Sequence, residues 1–247
     1  MSDYHMENEI IHGDCIEVMQ SMPSESVDLI VTDPPYLINY KTGHRKDRSH
    51  KFCTTIANDD NAELIAKYIS ECYRILKPDT AMYMFCSADK VDFFKEQLDS
   101  VFEIRNMIVW VKNNWTAGDL TSAFGRQYEL LFLVNKGRKE FSGTRISDVW
   151  RTKRVAGLAL EHQNQKPVEI IERCILKHSE ENDLVFDGFA GSGTTAVAAV
   201  YTNRRYICVE KDSYYYALAR ERVAGLNASV LFPDSIGRGL RTGSMEF

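Results

Sequence analysis

Val27-Asp28-Leu29-Ile30-Val31-Thr32-Asp33-Pro34-Pro35-Tyr36 is the stretch from which the rest of the chain can be read. Val27 to Val31 has the apolar, β-branched character of a buried strand. Two prolines stop it. Neither donates a backbone hydrogen bond, each fixes its own φ, and Pro34 holds Asp33 extended. The pattern predicts a stiff turn at the carboxyl end of a strand, where open α/β sheets place their ligands. A carboxylate, free backbone carbonyls and an aromatic ring are presented there together. Such a group suits a planar molecule with an exocyclic amine: acceptors for its N–H donors, a ring for its face. An ordinary strand-terminating turn is the competing reading.

A second ligand-binding pattern lies far along the chain, at Asp183-Leu184-Val185-Phe186-Asp187-Gly188-Phe189-Ala190-Gly191-Ser192-Gly193-Thr194-Thr195. It reads as a strand, a Gly-rich turn and the start of a helix running from Thr194 through Tyr201. Arg205 to Val209 is then a strand ending at Glu210, with Lys211 after it. The glycines let the backbone close on a ligand, and a helix N-terminus offers free N–H groups. Glu210 follows Gly191 by 19 positions, near the roughly 20-residue offset at which an acid reaches ribose hydroxyls. Gly191 to Ala196 also satisfies the dinucleotide fingerprint G-x-G-x-x-A, so a nicotinamide or flavin enzyme is an alternative. A phosphate-binding P-loop is excluded, because no Lys follows the glycines.

The 247 residues, 44% hydrophobic, support a substantial core. No run of about 18 apolar residues predicts a transmembrane helix. The N-terminus has no signal-peptide pattern. The six cysteines are scattered without a Cys-x-x-Cys, as small buried hydrophobes in a reducing cytoplasm would be, and predict no metal site. Net charge is −5 but uneven. Residues 41–51 carry five basic side chains against one acid, and residues 136–154 seven against two, leaving −14 on the remainder. Two basic islands on an acidic body suggest a localised polyanion face, with charged loops as the plain alternative.

In order, Glu9–His12 reads as a strand followed by Gly13-Asp14-Cys15 and a short helix ending at Pro23. Asp14 is placed for a ligand's donor or for an N-cap. Residues 37–61 are too long for a simple connection and predict a mobile basic loop carrying Lys41, Arg45, Lys46, Arg48 and Lys51. Ala62–Leu76 has helical spacing and ends at Lys77-Pro78-Asp79. Strands are expected over Ala81–Cys86, Glu103–Lys112 and Gln127–Asn135, with a helix over Lys90–Asp99. Phe124-Gly125-Arg126 looks like the turn of an antiparallel pair. Lys112, between Trp110 and Trp115, and Arg126 are candidate DNA contacts, an aromatic cap on the core being the alternative for the tryptophans. Residues 136–160 hold the second island, where Arg151, Lys153 and Arg154 crowd around Trp150 as for phosphate contact and stacking. Pro167 opens a helix over Val168–His178. Ser213–Ala224 is a last amphipathic helix, and residues 225–247 form a tail. The alternation predicts one α/β domain over 1–247, a mostly parallel Rossmann-like sheet with an antiparallel edge strand.

Asp-Pro-Pro-Tyr resembles the catalytic motif of the S-adenosylmethionine-dependent DNA amino-methyltransferases, which methylate adenine N6 or cytosine N4. Phe189 to Thr194 looks like their cofactor motif, with Gly188 where many relatives carry Pro. Gly13-Asp14-Cys15 resembles the segment whose acid meets the cofactor's adenine, and Gln165-Lys166-Pro167 the element along its methionine part. Residues 136–160 then stand where the family keeps its target-recognition region. Catalytic turn first, basic segment next and cofactor loop last is the circularly permuted order of the family's β group. The resemblance implies S-adenosyl-L-methionine as cofactor, double-stranded DNA as partner, a cytoplasmic enzyme and a base flipped from the duplex. Asp33 and the Pro34 carbonyl would accept the two amino hydrogens, with Pro35 stiffening the turn and Tyr36 stacking on the base. Acid at position 33 favours adenine over cytosine, whose enzymes more often have Ser there. A homodimer fits the group, and no residue speaks to a partner restriction nuclease. A nucleic-acid-binding module with an inactive fold, and methylation of RNA or protein glutamine, are the remaining alternatives.

Overall fold

The computed structural model describes residues 7–38, 61–115, 121–152 and 165–231. The elements are β1 (Glu9–His12), α1 (Cys15–Ser21), β2 (Val27–Thr32), α2 (Ala62–Ile75), β3 (Leu76–Cys86), α3 (Val91–Asp99), β4 (Glu103–Val111) and β5 (Tyr128–Lys136). They continue with β6 (Val149–Arg151), α4 (Val168–His178), β7 (Leu184–Asp187), α5 (Thr194–Tyr201), β8 (Arg205–Glu210) and α6 (Ser213–Leu231). The strands form one sheet in the order β1-β8-β7-β2-β3-β5-β4-β6. The first five run parallel, and β5 is antiparallel to both its neighbours.

The expected antiparallel strand is therefore present, but not at an edge. The β4–β5 hairpin inserts its return strand beside β3, and β6 then pairs parallel to β4 on the outside. The sheet is covered on both faces, as a parallel sheet requires. One core layer gathers α1, α2 and α3 through Met19, Ile65, Ile69, Phe94 and Leu98. The other gathers α4, α5 and α6 through Ile170, Ile175, Ala198, Ala199 and Val223. Helix α5 is mostly Thr, Ala and Val and is buried over most of its length. Its small side chains let it lie close to α4, α6 and the sheet.

β2 is buried throughout except at Asp28. That carboxylate takes Lys77 Nζ at 2.6 Å and the Leu184 N–H at 2.9 Å, so an acid in a core strand ties its two neighbours together. Helix α2 buries the stripe Ile65, Tyr68, Ile69, Cys72 and Ile75, and Asn61 caps it by accepting from the Leu64 N–H at 2.9 Å. The Lys77-Pro78-Asp79 stop lies inside β3, where the register against β2 shifts between Val27 and Leu29. Asp79 there adopts φ +57°. Among the described residues no helix is long and apolar enough to cross a membrane. The basic segment of the 37–61 loop, residues 153–160 of the recognition segment and the tail after 231 lie outside the described residues.

Candidate active site

Parallel strands leave their carboxyl ends on one edge of the sheet, and the site is built there. A cavity of about 600 Å³ joins the ends of β1, β2, β3, β7 and β8. Because β5 is reversed, it brings its beginning, Tyr128 and Glu129, to the same edge.

One half of the cavity is the Gly-rich turn. Asp187 ends β7 fully buried and accepts from the Phe189 N–H at 3.0 Å and from Thr195 Oγ1 at 2.7 Å. Burial raises its pKa to about 6. Gly191 and Gly193 both take positive φ, +52° and +79°, and Gly193 caps α5. A Cβ on Gly193 would stand 2.8 Å from that of Ala219. Ser192 is held by Arg222, whose Nη1 lies 2.9 Å from its Oγ. Gly188 donates its N–H to the Tyr68 hydroxyl at 3.2 Å, and a Cβ there would lie 2.4 Å from the Tyr68 ring. Pro at this position would lack the donor and meet that ring, so Gly188 and Tyr68 fit one another. Glu210 Oε2 accepts from the Gly191 N–H at 2.7 Å and Oε1 from the Asp212 N–H at 2.8 Å. Burial raises its pKa although both bonds favour the charged form. Asp14 caps α1 through the Ile16 N–H at 2.9 Å and meets Lys211 Nζ at 3.1 Å, which fulfils the N-cap reading and leaves the carboxylate at the cavity wall. Burial acts to raise its pKa, but Lys211 and the Ile16 N–H outweigh that and lower it. Cys15 is buried beside it, its thiol pushed up to about 12 by that burial. Phe189, Ala190, Thr194 and Gln165 complete this lining.

The other half is the Asp33 turn. The Tyr36 hydroxyl donates to Asp33 Oδ1. Lys166 Nζ lies 2.5 Å from Asp33 Oδ2, 3.1 Å from the Tyr36 hydroxyl and 3.2 Å from Glu129 Oε2. Lys112 pairs with Glu129 Oε1. Burial raises the Asp33 pKa against the pull of Lys166. Burial also opposes the Lys166 ammonium, but the Asp33 and Glu129 carboxylates more than offset it, and its pKa is raised. Pro34 and Pro35 line the cavity, whereas Pro167 is the N-cap of α4 and does not.

Glu129 carries no motif and was not foreseen; its place at the start of a strand antiparallel to the rest is what brings it here. Lys166 belongs to both halves: it lines the cavity shared with the Gly-rich turn, yet its ammonium sits on the Asp33 turn. Among the DNA candidates, Lys112 is committed to Glu129, and Arg126 clasps Asp89 at 2.8 and 2.6 Å. Arg151 is exposed on edge strand β6. Lys41, Arg45, Lys46, Arg48, Lys51, Lys153 and Arg154 lie outside the described residues. Trp150 is no stacking platform: it is buried, its Nε1 donates to the Ser147 carbonyl at 2.8 Å, and Arg173 covers its ring at 5.2 Å. Trp110 is likewise core, donating to Thr152 Oγ1 at 2.8 Å.

The comparisons with known proteins agree with this architecture. DNA adenine methyltransferase YhdJ of Escherichia coli (strain K12) is 30% identical over 248 residues, covering 87% of this chain and 82% of its own. The M1.HpyAVI–SAM complex superposes with a TM-score of 0.65 at 23% identity, over 87% of this chain and 98% of that one. The cytosine-N4-specific PvuII DNA methyltransferase superposes with a TM-score of 0.69 at 17% identity, over 90% and 92%. The DNA methylase family model matches residues 27–221, from the first residue of β2 to well inside α6. That span holds both the Asp33 turn and the Gly-rich turn, which sets aside the dinucleotide alternative: this chain belongs to the N6/N4 DNA methylase family.

Proposed function

We propose that this protein transfers the methyl group of S-adenosylmethionine to N6 of an adenine flipped out of double-stranded DNA. The observation that carries the reading is that the Asp33-Pro34-Pro35-Tyr36 turn and the Gly-rich turn with Glu210 open into one cavity. Its volume suits a cofactor. The fit is supported by Glu210, whose two oxygens are each fixed by a backbone N–H and keep a further lone pair for a ligand hydroxyl. Asp14, Gln165, residues 187–195, Glu210 and Lys211 would hold the cofactor, which supplies an electrophilic methyl group on a sulfonium.

The chain's own residues then have two tasks. An exocyclic amine is a poor nucleophile because its lone pair is delocalised into the ring. The Asp33 carboxylate and the Pro34 carbonyl accept its two hydrogens, which holds the nitrogen toward tetrahedral geometry and frees the lone pair. The same oxygens stabilise the positive charge that develops on nitrogen, and the rigid turn contributes by alignment. Tyr36 offers its ring to the base, which has to leave the duplex to reach the turn. Asp at position 33, and the adenine specificity named for YhdJ, favour adenine. A homodimer, beside DNA in the cytoplasm, is the further expectation, read by sedimentation.

The test is incubation with mixed DNA and methyl-labelled S-adenosylmethionine, followed by nucleoside analysis. Label in N6-methyladenine is expected. Label in N4-methylcytosine would reassign the base, and unlabelled DNA would overturn the reading.

A further inference from the structure

In this structure both oxygens of Asp33 already hold a donor, Tyr36 on one and Lys166 on the other. Each oxygen keeps a second lone pair, so an incoming amino group could share Asp33, but it would do so beside the Lys166 ammonium. Lys166 cannot retreat to water. Its side chain is 6% exposed, and its ammonium sits 4.9 Å from the centre of the Phe85 ring and 5.5 Å from that of Tyr36. A buried ammonium stripped of its partner is strongly unfavourable.

We propose that Glu129 is a positioning residue that takes over the Lys166 ammonium when the target amino group occupies Asp33. This rests on the methyl-transfer reading above. Glu129 Oε2 is 3.2 Å from Lys166 Nζ, an ion pair in which that buried oxygen has no aligned hydrogen bond. It has acceptor capacity to spare, a short shift away. Lys112 occupies the other oxygen. Burial opposes the charge on Glu129, but Lys166 and Lys112 outweigh it and keep the carboxylate ionised.

The handover has an electrostatic consequence for the reaction. Positive charge grows on the amino nitrogen as the N–CH₃ bond forms, and an ammonium left on Asp33 would repel it at close range. Drawing Lys166 onto Glu129 moves that charge away without adding or removing one from the buried cluster. The charged or titratable groups facing Lys166 are Asp33 and Tyr36 from the β2 turn and Glu129 from β5; those carboxylates are in turn faced by Cys86 from β3, Lys112 after β4 and Asp187 from β7.

The test is Glu129→Gln, which keeps the shape and removes the charge. Turnover on DNA should fall about 10- to 100-fold, less than the roughly 10²- to 10³-fold cost of losing a group that touches the transition state. S-adenosylhomocysteine binding, measured by calorimetry, should be unchanged. The remaining activity should rise with pH as Lys166 sheds its proton, and Glu129→Gln/Lys166→Met should be more active than Glu129→Gln alone, because Asp33 is then released. Glu129→Asp, which keeps a shorter carboxylate, should fall between. A separate readout needs neither cofactor nor DNA: NMR titration of isotope-labelled lysine, with Lys166→Met for assignment, should show the Lys166 pKa falling in Glu129→Gln. Wild-type turnover in Glu129→Gln, or a double variant no better than the single one, overturns the handover. An unshifted Lys166 titration overturns it even if the wild-type protein methylates no DNA, an outcome that by itself counts only against the methyl-transfer reading.

Discussion

At the scale of single residues, the site depends on groups that have no room to adjust. Asp33→Ala should leave S-adenosylhomocysteine binding near normal and cut methyl incorporation into DNA by at least ~10²-fold. Asp33→Asn separates the contributions: it keeps a carbonyl acceptor and loses the charge, so retained activity credits orientation and near-complete loss credits charge. Tyr36→Phe keeps the ring that would stack but removes the hydroxyl that donates to Asp33. Turnover should therefore drop several-fold while the KM for DNA holds. Gly188→Ala would drive a methyl group into the fully buried Tyr68 ring. A destabilisation of about 1–3 kcal/mol is expected, the scale of overpacking in a tight core, read by urea unfolding. The motif residues Asp33 and Gly191 are legible in the sequence because their neighbours in the chain impose their geometry. Glu129 is not, and Lys166 is legible as part of the Gln165-Lys166-Pro167 element but not as the partner of Asp33, because each acquires its role from a partner in another element; Lys166 and Asp33 are 133 positions apart.

Among the elements, the long periodic ones follow from their patterns, and the short ones do not. α2 shows its buried stripe in three- and four-residue spacing, whereas β6 is three residues long and its exposed-buried-exposed order is too brief to reveal that Trp150 faces the core. The basic residues around Trp150 suggested a stacking surface; the β4–β6 pairing decides otherwise. At the end of α4, His178 is buried, with Nδ1 2.6 Å from the Tyr83 hydroxyl on β3. A helix C-terminus favours a charged histidine. Burial, then Lys139 and Lys177, nevertheless lower its pKa to about 4. The unfolded chain therefore binds this proton more readily. His178 contributes stability that is complete above pH ~6.5 and is lost as pH falls toward 4, about 3 kcal/mol in all. Asp187 has the opposite sign: its raised pKa gives a contribution present below pH ~3.8 and lost as pH rises through about 6. Urea unfolding of His178→Asn and its parent between pH 4 and 7 should differ in slope in the sense given for His178. Parallel curves would mean the ring is not held neutral.

For the molecule as a whole, charge divides into residues that hold the fold and residues free to meet DNA. Lys136 belongs to the second basic island, but its ammonium reaches the carbonyls of Tyr73 at 3.0 Å and Leu76 at 2.7 Å. Arg151 is exposed at the sheet edge. Arg151→Gln should flatten the salt dependence of DNA affinity by about one unit of slope. Lys136→Gln should leave the slope alone and lower the unfolding midpoint. Equal slope changes would mean that the island acts as a diffuse field instead. The permuted order of turns could be read along the chain, but the neighbours within the sheet could not. In the order β1-β8-β7-β2, the two strands nearest the N-terminus flank two made near the C-terminus. During synthesis β1 and β2 thus emerge with nothing between them, and their apolar edges wait while more than half the chain is translated. Non-local pairing of this kind slows folding and exposes strand edges to aggregation. A nascent chain halted before Leu184 possesses the whole Asp33 turn and the β2-β3-β5-β4-β6 strands beside it, but neither β7, β8 nor the Gly-rich turn, so growing polypeptides carry the catalytic motif without the cofactor half of the cavity.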